Sequence, residues 1–129
     1  MIKNPSYKFP AFEDGYIDIA LCHFHLGNLK DAQENFKKAV EYNTNKFGLN
    51  SRQLGDCFSR GAKLFETSEQ FRGQAHGLYS KAFEIYNNLN PRPGNTHETL
   101  ISLGKFSDEK RNVEEDVKST EEWLGNIKI

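Results

Sequence analysis

The chain has 129 residues, of which 36% are apolar, 12% are aromatic and 27% are charged. This length suits one domain with its own core, and the aromatic content excludes a disordered acidic chain. Because 17 basic residues nearly balance 18 acidic ones, the chain is not a globally basic nucleic-acid-binding protein. The mean hydropathy of −0.74 is low, and no apolar run approaches the roughly 20 residues that a membrane span needs. We therefore expect an elongated or thin fold and no membrane insertion.

Residues 1–11 are predicted to form an extended N-terminal arm, because Pro5 and Pro10 disfavour helix in the residues before them. The arm lacks the apolar stretch of a secretory signal and the arginines of a transit peptide. The two cysteines, Cys22 and Cys57, are fewer than the disulfide framework of a small secreted domain requires. We expect a reducing compartment, most simply the cytoplasm, with an organellar or cytoskeletal complex as an alternative.

From Phe12 onward, apolar residues recur at helical spacing, and no run alternates for long enough to predict a strand. The fold class is therefore predicted to be all-α, with one domain over residues 12–126. Breaks between six helices are expected at residues 27–28, 43–50, 67–68, 90–94 and 107–109. The expected buried stripes are, helix by helix, Phe12, Tyr16, Ile19, Ala20, His23 and Leu26; Leu29, Ala32, Phe36, Ala39 and Val40; Leu54, Phe58, Gly61, Ala62 and Phe65; Phe71, Ala75, Leu78, Tyr79, Ala82, Phe83 and Tyr86; Leu100, Leu103 and Phe106; Val113, Val117 and Leu124 beside Trp123.

The helices form pairs, and the pattern within a pair repeats along the chain. Small residues at fixed stations let two helices approach closely, and aromatic residues fill the space between successive pairs. Because one pair cannot bury both of its faces, the pairs are expected to stack. The sets that recur at 42 residues are Tyr16, Phe58 and Leu100; Ile19, Gly61 and Leu103; and Ala20, Ala62 and Gly104; the set Ala32, Phe36 and Ala39 recurs at 43 as Ala75, Tyr79 and Ala82.

This pattern resembles the tetratricopeptide repeat family, in the longer 42-residue form seen in kinesin light chains. The units are residues 12–43, 51–89 and 95–124. The third is degenerate or a cap, because Val117, Glu121 and Leu124 replace the small–aromatic–small signature, and Thr44 lies where the family has a proline after the first unit. The resemblance implies a right-handed stack of antiparallel helix pairs, an α-solenoid, whose first helices line a concave groove.

In this family the groove binds a peptide or a partner helix. A subtype holds the carboxylate tails of chaperones with Lys and Asn, but Ile17 and Leu21 stand at those places, so we expect no carboxylate clamp. An amphipathic helix or extended segment with apolar side chains fits better. Alternatively, Tyr7 and Phe9 of the arm, or a neighbouring subunit, cover the groove. The implied groove residues are Asp14, Ile17, Leu21, Phe24 and His25 in the first unit and Asp56, Ser59, Lys63, Glu66 and Thr67 in the second.

Residues typical of catalysis or metal binding do not form a recognisable site. His23 and His25 are two apart on a helix and point in different directions, and His76 is isolated in the sequence. No zinc-ligand spacing or phosphate-binding glycine loop is present. Gly73 and Gly77 lie within the fourth helix, where we expect them to permit close helix packing. We therefore expect neither an enzyme nor a metal or other cofactor.

The segment of residues 107–122 holds seven acidic residues against three basic ones. A solvated helix face is the usual reason for such a run, and a docking surface for a basic partner is the alternative. Taken together, the sequence predicts a protein–protein interaction module or adaptor. The alternative function is a permanent structural subunit of a large organellar or cytoskeletal assembly.

Overall fold

The computed structural model describes residues 12–109 and 111–125, without the side chains of residues 12–15, 107 and 108. The arm predicted over residues 1–11, including Tyr7 and Phe9, lies outside the described residues. Within this range the chain forms six α-helices and no strand, which confirms the all-α prediction. The helices are α1 (Phe12–His25), α2 (Leu29–Phe47), α3 (Arg52–Phe65), α4 (Arg72–Asn88), α5 (Asn95–Asp108) and α6 (Val113–Leu124), and a 3-10 turn at Glu69–Phe71 precedes α4.

Helices α1 and α2 pack closely and are joined by a turn in which Gly27 has a φ of +84°. So short a connection makes them antiparallel neighbours. The predicted stripe of α2 is confirmed, since Ala32, Phe36, Ala39 and Val40 are all fully buried.

Helix α2 extends to Phe47, although a break was expected from residue 43. The side chain of Asn43 is buried and donates a hydrogen bond from Nδ2 to the carbonyl of Ala39 at 2.8 Å. Because the amide is bonded to its own helix, it does not divert the backbone from helical bonding. The helix ends at Gly48, whose φ of +90° favours glycine.

The buried face of α1 differs from the predicted stripe. Ala20 is fully buried, but Ile19 is 45% exposed and Leu26 is 74% exposed. Ile17 and Phe24 pack against the core instead. The face is rotated because α1 contacts α3 as well as α2, so its inward side is set by two neighbours.

Helices α3 and α4 form a second antiparallel pair. Phe65 contacts Phe71 at one end of the pair, with ring centroids 5.4 Å apart. At the other end, Gly55 faces the ring of Tyr86. Ser51 caps α3, because the backbone N–H of Leu54 donates to its Oγ at 3.2 Å. The predicted stripe of α3 is buried throughout.

The second pair packs on the first through α2 and α3. A Cβ added to Gly61 would lie only 2.2 Å from the ring of Phe36, so this glycine is what allows the ring to approach. Phe36 also contacts Phe65 edge to face, with centroids 5.7 Å apart. The expected contact between a small residue of one pair and an aromatic residue of the other is therefore present.

Helices α5 and α6 each pack against α4. Among the described residues, α5 and α6 do not pack closely against each other. Thr99 and Phe106 are buried on α5, whereas Leu100 is 50% exposed and Gly104 has open space around it. The 42-residue spacing predicts that Leu100 is buried, but Thr99, one residue earlier, is buried on α5 instead. The predicted start of the sixth helix at residues 107–109 is wrong, because α5 continues through Asp108.

Helix α6 begins at Val113, after Asn112, whose side chain accepts a hydrogen bond from the N–H of Glu115. It crosses α4 at two glycines, as expected from their place in the sequence. A Cβ added to Gly77 would lie 2.0 Å from Thr120, and one added to Gly73 would lie 3.1 Å from Asp116. Gly73 precedes Gly77 on α4, and Asp116 likewise precedes Thr120 on α6. The two helices therefore run in the same direction.

Polar contacts hold α6 and the turn before it against α4. The carboxylate of Asp116 accepts hydrogen bonds from Arg111 Nε at 2.8 Å and lies 2.7 Å from Nδ1 of His76. His76 also stacks on Phe106, with centroids 4.7 Å apart, so it is not isolated. Lys81 on α4 pairs with Glu121 at 2.8 Å. The acidic segment is therefore not only a solvated face, since part of it attaches the last helix.

Candidate partner-binding cleft

A cleft of about 530 Å³ lies between α1 and α3. Two parallel helix faces form its walls, because each helix presents residues that are three, four or seven apart to the same side. This volume falls within the range of about 300–1,000 Å³ that is typical of ligand pockets. The lining residues are Ile17, Asp18, Leu21, Phe24 and His25 from α1 and Arg60, Lys63, Leu64 and Thr67 from α3.

The floor of the cleft is apolar and anchored in the core. The ring of Phe24 meets that of Phe65 edge to face, with centroids 6.0 Å apart. Ile17 and Leu64 are half-buried and also pack against the core. Leu21 is 41% exposed, so it offers an apolar surface to a molecule in the cleft. The floor is therefore part of the packed core, and the exposed surface of Leu21 favours contact with apolar side chains.

The rim of the cleft carries charges of both signs. Arg60 and Lys63 are exposed on the α3 wall, and Asp18 is exposed on the α1 wall. Because charges of opposite sign steer association, the exposed Lys63 favours partners that carry carboxylates next to apolar groups.

Two of the predicted groove residues instead hold α3 against α4. The hydroxyl of Tyr86 donates to Asp56, which also accepts a hydrogen bond from Asn95 Nδ2 at 3.0 Å. The hydroxyl of Tyr79 donates to Glu66 Oε1 at 3.1 Å. Burial raises the pKa of both tyrosines above the ordinary value, and the neighbouring carboxylates add to the rise. Asp56 and Glu66 are therefore satisfied within the fold.

Ser59 lies beside the cleft. It lines a smaller cavity of about 60 Å³ toward α5, which it shares with Lys63, Tyr79 and Thr99. This second space is too small for a bulky side chain. Asp14 is in α1, but its side chain is outside the part of the chain that the structure describes. The other predicted residues, Ile17, Leu21, Phe24, His25, Lys63 and Thr67, line the cleft.

Three lining residues, Asp18, Arg60 and Leu64, were not among the predicted groove residues. The helical spacing could have identified two of them, Asp18 and Arg60, from the sequence. Asp18 lies three residues before Leu21, and Arg60 lies three residues before Lys63, so each shares a face with a residue that was predicted.

No group of three or more His, Cys, Asp or Glu side chains among the described residues is placed to hold a metal ion. Of the helices that the structure describes, none has both the length and the apolar character needed to cross a membrane. A scan against protein-family models and searches of curated proteins and of solved structures each return no match.

Proposed function

We propose that the chain is a protein–protein interaction module of the tetratricopeptide type, whose α1–α3 cleft binds a segment of another protein. The fold supports this assignment through two antiparallel pairs that stack by the Phe36–Gly61 contact. The first helices of these pairs, α1 and α3, are the ones that line the cleft. Helix α6 departs from the repeat pattern, and we assign it the role of a cap over α4.

The observation that carries the function is the apolar floor of the cleft, with the exposed Lys63 on its rim. A partner segment that fits it places apolar side chains over Leu21 and Phe24 and carboxylate side chains near Lys63. An amphipathic helix or an extended segment both meet this description. Since Ile17 and Leu21 offer no donor for a terminal carboxylate, a clamp for C-terminal tails is not part of the proposal.

The experiment is a selection from a library of random peptides of about 12 residues, displayed without a free C-terminus. The chain should enrich peptides that combine apolar and acidic residues. A Leu21→Ser/Lys63→Glu variant should bind the selected peptides at least about tenfold more weakly, because it removes both kinds of contact. The matched control Leu26→Ser/Lys38→Glu alters exposed residues outside the cleft lining and should bind like the wild type.

Equal binding by the cleft variant and the control would contradict the proposal. The absence of a carboxylate clamp is tested separately, by isothermal titration with an acidic peptide that has a free C-terminus. We expect no binding that depends on the terminal carboxylate. Tight binding that is lost when that carboxylate is amidated would overturn this part.

A permanent structural subunit remains the alternative function, and the exposure of Leu26 and Ile19 on the first pair favours it. Such a subunit would associate irreversibly or precipitate when isolated, because its apolar surface would lack a cover. The interaction module should remain in solution at micromolar concentration and bind its peptides reversibly. Light scattering on the isolated chain separates the two functions.

A further inference from the structure

The outward side of α5, opposite the side that packs on α4, has no helix against it among the described residues. We define this α5 outer face by His97, Leu100, Ile101 and Gly104, which are spaced as i, i+3, i+4 and i+7. Leu100 is 50% exposed and Ile101 is 55% exposed. The pattern is that of a helix side that packs on another helix.

The reason for this exposure is the position of α6. In a helix pair the following helix would cover α5, but here α6 packs on α4. A depression of about 280 Å³ borders the α5 outer face, with Phe83, Pro93 and Leu100 in its lining. Gly104 has nothing within 4 Å of an added Cβ, in contrast to Gly61, which receives a ring. The face therefore has room for close approach of a further helix.

The charged residues beside this face can pair with the same residues of a second copy of the chain. Glu98 lies in the first turn of α5 and Lys105 lies in the last turn. They are seven residues apart, so both lie on the same flank of the helix, and both are exposed. In an antiparallel pair of α5 helices centred near Ile101, two-fold symmetry brings the same flanks together. Glu98 of each copy then lies beside Lys105 of the other.

We propose that the α5 outer face is an interface for a second copy of this chain, which docks its own α5 antiparallel in a two-fold symmetric dimer. Leu100 and Ile101 supply the apolar contact, Gly104 permits close approach, and the two Glu98–Lys105 pairs fix the antiparallel orientation. In a parallel two-fold arrangement the flanks that carry Glu98 and Lys105 would lie on opposite sides of the interface, so neither charge pair would form. This interface is separate from the α1–α3 cleft.

The test is sedimentation equilibrium over a range of concentrations. A single helix face buries less area than the roughly 1,200 Å² of a standard interface, so we expect a reversible dimer with a dissociation constant of about 10 to 100 µM. Leu100→Asp should weaken the dimer at least about tenfold. The control is Leu26→Asp. Leu26 is 74% exposed and follows α1, outside the α5 outer face, so this change should leave the dimer unchanged.

Charge variants identify the occupant as a second copy. Glu98→Lys alone and Lys105→Glu alone should each be at least about tenfold weaker as dimers, because like charges then meet. An equimolar mixture of the two variants should dimerise about as well as the wild type, since opposite charges meet in the heterodimer. The controls Glu34→Lys and Lys38→Glu, at exposed positions of α2, should leave dimerisation unchanged.

The proposal is overturned if the wild type stays monomeric up to about 1 mM, which would assign the face to a different partner or to residues outside the described range. It is also overturned if the mixture of charge variants fails to dimerise, or if Leu100→Asp and Leu26→Asp behave alike. Far-UV circular dichroism on each variant verifies that the helices are retained, so that a lost dimer reports on the face itself.

Discussion

Gly77 of α4 lies so close to Thr120 of α6 that a Cβ added to the glycine would be 2.0 Å from the hydroxyl and 2.7 Å from the carbonyl oxygen of Asp116. The second distance involves backbone, which cannot move aside as a flexible side chain can. The attachment of the last helix to the two stacked pairs therefore depends on the absence of a side chain at this position.

Gly77→Ala should lower the free energy of unfolding by about 1–2 kcal/mol. Overpacking of this kind costs about 1–3 kcal/mol, and the better helix propensity of alanine recovers up to about 1 kcal/mol. The matched control is Gly104→Ala on α5, where nothing lies within 4 Å of the new Cβ. That change should raise the free energy of unfolding by up to about 1 kcal/mol. Urea denaturation at low protein concentration measures both, and two equal effects would contradict the close crossing.

The difference between the predicted and observed faces of α5 and α6 has a physical cause. Their buried positions include Thr99, Asp116 and Thr120, which an apolar periodicity does not mark. Each threonine hydroxyl donates to a carbonyl one turn earlier in its own helix, at 2.9 and 2.8 Å. A polar residue that is satisfied in this way can be buried at low cost.

Helices α2 and α3 were predicted well because they lie in the middle of the stack, with helices packed on more than one side. Their buried positions, apart from Asn43, are apolar or small, as Phe36 and Gly61 are. The cleft was predicted in part for a similar reason, since Leu21 and Lys63 follow the helical spacing. Asp56 shares the face on which groove residues were expected, but the sequence does not show that Tyr86 across the pair donates a hydrogen bond to it.

Trp123 should report on the docking of α6. Its ring stacks on Phe36 with centroids 5.8 Å apart and meets Phe65 edge to face at 5.7 Å. Trp123→Ala should lower the free energy of unfolding by about 2 kcal/mol, less than for a fully buried tryptophan because the side chain is half-buried. Trp123→Phe should retain about half of this stabilisation. If neither variant shifts the urea midpoint, α6 is not held by this contact.

Asp116 should make the stability of the fold depend on acid pH. Burial opposes ionisation of its carboxylate, but hydrogen bonds from Arg111 and His76 outweigh burial and hold its pKa below the ordinary value of 3.8. A lowered pKa means that the ionised group stabilises the fold above about pH 4, and that this contribution is lost as the pH falls through the folded-state pKa. Asp116→Asn should therefore flatten the stability profile below pH 4.

The control for this experiment is Glu114→Gln, which neutralises an exposed acid on the same helix. It should leave the slope of the acid limb nearly as in the wild type. The fluorescence of the single tryptophan follows unfolding at each pH. An acid limb of unchanged slope in Asp116→Asn would show that this carboxylate is not selectively stabilised in the folded state.

Tyr86 should make the stability depend on alkaline pH in the opposite sense. Burial, followed by the hydrogen bond to Asp56, raises the pKa of its hydroxyl above the ordinary value of 10.0. The neutral hydroxyl therefore stabilises the fold below pH 10, and this contribution is lost as the pH rises above that value. Tyr86→Phe should cost about 1–2 kcal/mol at neutral pH and flatten the profile above pH 10. A steeper alkaline limb in the variant would contradict the assignment.

Mapping the position of a bound peptide is the sharpest test of whether the cleft between α1 and α3 receives a partner segment. A peptide from the library selection is titrated into the ¹⁵N-labelled chain, and the amide chemical shifts are followed. We expect the largest changes at Leu21, Phe24, Lys63 and Thr67, and we expect Lys63→Glu to reduce the affinity. Changes confined to α5 or α6, with the cleft amides unmoved, would contradict this expectation.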